Sequence, residues 1–212
     1  MRFNNEPLSA WTHLIGALLS IAALVLMIVF ASIKSTVWHI VSYSIFGTSL
    51  ILLYLASTIF HFIRRDVKAK KLFERIDHSM IYVLIAGTYT PILLVPLRGA
   101  LGWTLFGIIW GIAILGVVLK STINMKEWFS TLLYVLMGWL IIFAIKPLLE
   151  NIGILAFFWL LIGGIAYTIG AVFYYIDTKK EKGVLFGHHE IFHIFVMIGS
   201  FSHFWVMLKY LI

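Results

Sequence analysis

The chain has 212 residues, of which 62% are hydrophobic and 12% charged, with a formal net charge of +7 and a mean hydropathy of +1.02. A soluble globular domain is about half apolar and about a quarter charged, so this composition excludes one and points to an integral membrane protein. There is no cysteine, which excludes disulfides, thiolate ligands and a cysteine nucleophile and leaves His, Asp and Glu to build any metal site.

A helix needs roughly 20 mostly apolar residues to cross the hydrocarbon core. Seven such segments follow one another at about 12–33, 38–62, 77–97, 101–120, 128–147, 152–176 and 187–211. None alternates as a barrel strand does, and helices otherwise satisfy the backbone in lipid. The linkers are too short to separate domains and no repeat is visible, so a single all-α transmembrane domain of seven helices over residues 1–212 is expected. The first apolar stretch is too long for the 7–15-residue core of a signal peptide, and Glu6 and His13 would sit awkwardly in one. Pro91 is expected to kink the third helix, and Gly107-x3-Gly111 and Gly163-Gly164 to form helix-packing surfaces. Trp11, Trp38, Trp103 and Trp128 lie at span ends, as an aromatic belt requires.

Charge gives the orientation. Arg2, Arg64, Arg65, Lys68, Lys70, Lys71, Arg75, Lys120, Lys126, Lys179, Lys180 and Lys182 fall on one side, and Lys34, Arg98, Lys146 and Lys209 on the other. Lysine and arginine concentrate in cytoplasmic loops. The N-terminus is therefore expected in the cytoplasm and, after seven spans, the C-terminus outside. This asymmetry accounts for the net charge without nucleic acid. The basic run from Arg64 to Arg75 is expected to be a cytoplasmic loop touching anionic lipid headgroups.

The same topology puts six of the eight histidines near the cytoplasmic face: His13, His61, His78, His188, His189 and His193. Ser57/His61 and His189/His193 are i,i+4 pairs, so each shares a helix face. Ionisable groups in membrane helices are costly and mark function by default. Zinc accepts imidazole nitrogen readily, and catalytic zinc typically keeps three protein ligands and one open position. His61, His189 and His193 can supply three nitrogens from two helices, with water in the fourth place. Asp77, at the same depth, could hydrogen-bond that water as base or orient one of the ligands, and Ser57 would steady the water or a substrate carbonyl. His39 is expected at the outer interface, and His203 about 15 Å deeper than His193.

His189-Glu190-Ile191-Phe192-His193 also reads as the H-E-x-x-H of zinc proteases, in which Glu190 would be the base. Its extended form fails, because Val196 and Gly199 stand where glycine and histidine are needed. Helix geometry turns Glu190 away from the face of the two histidines, towards cytoplasmic water in the simplest picture.

The chain resembles the haemolysin III branch of the progestin and adipoQ receptor family, which includes the adiponectin receptors. It is more distantly similar to alkaline ceramidases. The motifs are Glu6-x6-His13, Ser57-x3-His61, Phe73-Glu74-Arg75-Ile76-Asp77-His78, Gly87-Thr88-Tyr89-Thr90-Pro91 and Gly187-His188-His189-Glu190-Ile191-Phe192-His193. The resemblance implies seven helices, a cytoplasmic N-terminus and zinc on His61, His189 and His193, with Asp77 and Ser57 beside the bound water. Ser9 stands where the first motif usually has asparagine, which weakens the expectation that Glu6 and His13 pin the first helix. Glu190 stands where the adiponectin receptors carry glutamine, which disfavours a catalytic carboxylate there. The expected function is zinc-dependent hydrolysis of a lipid amide or ester in the cell membrane, with membrane lipids as substrate or ligand. A haemolysin-type pore and a zinc-stabilised sensor are the alternatives.

Overall fold

A computed structural model describes residues 6–64, 67–123, 125–177 and 187–212. It consists of helices α1 (Pro7–Lys34), α2 (Val37–Phe62), α3 (Lys70–Leu94), α4 (Ala100–Thr122), α5 (Glu127–Gly138), α6 (Ile145–Asp177) and α7 (His188–Tyr210), with a 3-10 turn at Leu140–Ala144 between α5 and α6. No strand occurs among the described residues. Five helical stretches are long and apolar enough to cross a membrane: α1, α2, α4, the 51-residue stretch Glu127–Asp177, and α7. Helix α3 opens with Lys70, Lys71, Glu74, Arg75 and Asp77 before it turns apolar. Arg2, Arg65, Lys179, Lys180 and Lys182 lie outside the described residues.

The packing is that of a multi-pass membrane protein. Large apolar side chains such as Ile15, Leu18, Leu19, Ile114, Leu115, Phe143 and Leu155 face outwards, while serines, tyrosines and histidines are buried among the apolar side chains of the interior. Trp11, Trp38, Trp103 and Trp128 all lie on the outer surface. Buried hydroxyls bond back to their own helix, as Ser20 does to the Gly16 carbonyl, Thr58 to Tyr54 and Thr88 to Leu84. This removes the cost of a bare polar group in an apolar setting. Tyrosines tie the helices together: Tyr43 donates to the Met207 carbonyl and Tyr134 to the His78 carbonyl.

Helices α1, α2, α3 and α4 pack in sequence order, α6 packs on α7, and α7 returns to α1. Proline at the start of α1 suits a position whose N–H needs no partner. Just before it, the Glu6 N–H donates to the His61 carbonyl at 3.2 Å, tying the start of α1 to the end of α2.

The expected fifth span is not one continuous α-helix. The Tyr89 hydroxyl donates to the Gly138 carbonyl and accepts from the Ile141 N–H, satisfying groups that the 3-10 turn frees. Near the boundary expected between the fifth and sixth spans, Gly153 has φ 75° and ψ 167° and interrupts α6. That backbone region is open essentially only to glycine.

Two expectations need correction. Gly107 and Gly111 have open space where a Cβ would go, so they pack no helix here; Gly164 is open too, and only Gly163 makes a close approach, to the His203 ring. Lys70 to Arg75 are helical rather than loop. Lys70 turns inwards, donating to the Phe60 and Ile63 carbonyls at the end of α2. Lys120 is buried and bonds both Glu127 oxygens, at 2.8 and 3.0 Å.

Candidate metal centre

Three histidines meet where the end of α2 packs against the first turns of α7. One ligand atom from each of His61, His189 and His193 lies within 4.8 Å of the others. His61 and His193 are almost completely buried, and His189 is half-buried.

The Nδ1 atom of each ring has an acceptor. His61 Nδ1 is 2.8 Å from Glu6 Oε2, and His189 Nδ1 is 3.3 Å from Asp177 Oδ2. His193 Nδ1 is 3.1 Å from Thr12 Oγ1, whose own proton is given to the Ser9 carbonyl at 2.8 Å. All three Nδ1 atoms must therefore donate, which leaves an unprotonated lone pair on each Nε2. His61 Nε2 and His189 Nε2 face each other at 3.2 Å. Two lone pairs so placed repel unless a cation or a proton lies between them. A carboxylate or other acceptor behind the distal nitrogen also fixes the ring and raises its basicity in metal-binding histidines. The donor set fits a metal ion that prefers imidazole.

Asp77 of α3 and Ser57 of α2 are both buried near this cluster. Both line an internal cavity of about 210 Å³, as do His13 and His189. The cavity runs between α3, α5, α6 and α7, and its walls are mainly apolar, including Ile81, Ile85, Ile92, Val135, Leu160 and Val196.

Of the other histidines, His13 is buried and stacks on His193, with ring centroids 3.4 Å apart and planes 11° apart. His78 lines the cavity beside a separate network in which Lys120 and Tyr174 both donate to Glu127. His188 lies near Phe173, outside the cluster. His39 Nδ1 accepts from the Thr36 N–H at the start of α2, and its Nε2 is 2.8 Å from the Leu211 carbonyl oxygen.

Glu190 corrects the simple picture of a residue facing water. It does point away from His189 and His193, but it is only 7% exposed. Its Oε2 accepts from the Gly187 N–H at 2.7 Å, and its Oε1 accepts from Ser9 at 2.5 Å. It closes the start of α7 and holds α1 against it. Ser9, at the position where asparagine was expected, makes this contact itself, and the Glu6 contact described above is a second tie on α1. Thr12 and Asp177 were not singled out by sequence. The only available signal was that each falls near a helix end at the depth of the histidines.

These features define a class: a multi-pass helical membrane protein with a histidine cluster suited to a metal at one end of an internal apolar cavity. The family model described as "Haemolysin-III related" matches residues 1–204, and the chain belongs to that family. It is 48% identical to "Hemolysin-3 homolog" of Bacillus subtilis (strain 168), over 97% of this chain and 93% of that protein. It is 47% identical to "Hemolysin-3" of Bacillus cereus, over 98% and 92%. It is 29% identical to "ADIPOR-like receptor IZH2" of Saccharomyces cerevisiae (strain ATCC 204508 / S288c), over 94% and 69%.

Proposed function

We propose that the protein is a zinc-dependent lipid hydrolase of the cell membrane, acting on an amide or ester. The observation that carries this reading is the set of three imidazoles with free Nε2 atoms beside a buried carboxylate, at the end of an apolar cavity. His61, His189 and His193 would hold zinc, which suits three nitrogens with one open position. Bound there, zinc supplies Lewis acidity towards a carbonyl oxygen and lowers the pKa of a water. Asp77 takes a proton from the attacking water onto its carboxylate and returns it to the departing amine or alcohol. Ser57, which lines the same cavity as Asp77, would steady the water or the substrate carbonyl. The apolar walls take up the acyl chain and keep bulk water from the reacting carbonyl.

The proposed topology has seven spans, with the N-terminus cytoplasmic and the C-terminus outside. The stretch Glu127–Asp177 would be about 75 Å long as one helix, more than twice the hydrocarbon core. Its break at Gly153 supports counting two crossings. Helix α3 supplies the remaining crossing beyond Asp77. The basic residues between α2 and the start of α3 would contact anionic headgroups.

The name of the Bacillus cereus relative supports a cytolytic alternative. The mainly apolar cavity argues against a single-chain pore, which needs a polar path through the whole bundle. The test is turnover of acyl-labelled ceramides and esters by zinc-loaded protein in nanodiscs. Wild type should release fatty acid, and Asp77→Asn should retain zinc but lose about 10²-fold in rate. Absence of turnover in folded, zinc-bound wild type would refute the hydrolase reading.

A further inference from the structure

The cavity contains a second polar place that the proposed chemistry does not use. His203 of α7 is 8% exposed, lines the cavity, and has an Nδ1 with no hydrogen-bond partner. Its ring lies over the ring of Tyr167 on α6, with centroids 5.6 Å apart and planes 14° apart. Gly163 passes so close beneath that a Cβ there would meet His203 Nε2 at 2.8 Å. Nearby, the Tyr54 hydroxyl donates to Ser200 Oγ at 2.8 Å, and Tyr167 Oη and Ser200 Oγ lie 2.9 Å apart. Three hydroxyl protons serve two hydrogen bonds, so one O–H has no acceptor among the described residues. An unsatisfied buried polar group costs about 1–3 kcal/mol. Here an unpartnered imidazole nitrogen and a spare O–H belong to one cluster, two of whose members, His203 and Tyr167, line the cavity.

We propose that His203 and Tyr167 form a subsite for a hydroxyl group carried on the acyl chain of the lipid. The inference rests on the lipid reading above. A hydroxyl can donate to the imidazole and accept the spare O–H, so it answers both. A carboxylate only accepts, and a charge in these apolar walls is costly. His203 lies ten residues beyond His193 on α7, about 15 Å along the helix. An extended chain of roughly twelve carbons with its head at the histidine cluster spans that distance. The preferred ligand class is thus a long-chain acyl group hydroxylated near that position, over an unsubstituted chain.

The experiment is displacement of a fluorescent fatty acid from the zinc-loaded full chain in detergent micelles, by dodecanoate, 4-hydroxydodecanoate and 12-hydroxydodecanoate. Wild type should bind the 12-hydroxy acid about tenfold more tightly than dodecanoate, and the 4-hydroxy acid no more tightly. His203→Phe should reverse the first preference while leaving dodecanoate affinity within about threefold. Tyr167→Phe keeps the ring and removes only the phenolic O–H; it should reduce the preference about fivefold, the worth of one hydrogen bond, and serves if His203→Phe does not fold. Equal binding of dodecanoate and the 12-hydroxy acid by wild type would overturn the subsite while leaving the lipid cavity standing. Failure of all three acids to displace the probe would overturn the cavity reading, and the subsite with it.

Discussion

Zinc affinity should follow the strength of the acceptor behind each histidine. Glu6 is the strongest, a carboxylate 2.8 Å from His61 Nδ1. Asp177 is also a carboxylate, but it lies 3.3 Å from His189 Nδ1 and is 29% exposed. Thr12 is a neutral hydroxyl 3.1 Å from His193 Nδ1. Removing a charged acceptor forfeits about 1.5–3 kcal/mol, and a neutral one about 1 kcal/mol. It also frees the imidazole to move its proton to Nε2, the atom the metal needs. Glu6→Ala should therefore weaken zinc binding by about 30–100-fold and Asp177→Ala by about 10-fold, within the range known for such outer partners, and Thr12→Val by only about 5-fold, the worth of one neutral hydrogen bond. The assay is competition for zinc with a chromophoric chelator, using detergent-purified protein whose helix content is checked by circular dichroism. His193→Ala, which removes a ligand outright, should be weaker than all three and marks the lower limit. Equal affinities for wild type and Glu6→Ala, or a Thr12→Val loss exceeding that of Glu6→Ala, would refute the assignment of the Nδ1 atoms as proton donors.

Reporter fusions at residues 66 and 179 should both read cytoplasm; an external signal at either would exclude the proposed topology. Glu190→Gln should leave zinc content unchanged but lower the melting temperature, because Glu190 bridges Gly187 and Ser9; the loss should be about 1–3 kcal/mol, read in a thermal-shift assay with zinc in excess. Gly102→Ala should express poorly or melt early, because its Cβ would collide with the backbone carbonyl oxygens of Leu93 and Leu97. Gly107→Ala, on an open helix face, should be neutral or more stable by up to about 1 kcal/mol.

The sequence by itself determined the membrane class and the helical character, because both follow from the one-dimensional spacing of apolar residues against the thickness of the hydrocarbon core. It also brought His61, His189, His193, Asp77 and Ser57 to one depth, since helix rise converts position along a span into height. Azimuth is different, because it depends on which neighbour each helix face meets. Sequence geometry turned Glu190 from the face of His189 and His193, but only the packing of α1 onto α7 decided that Ser9, rather than water, lies on that side. The same packing left Gly107 and Gly111 without a neighbour and pressed Gly163 against His203. Tertiary structure alone placed Glu6, Asp177 and Thr12 behind the three imidazoles, fixing which nitrogen of each is free. The cavity was likewise invisible in the chain, because it is the space left between α3 and α5 on one side and the packed α6–α7 pair on the other, and no residue's own pattern records a gap between its neighbours.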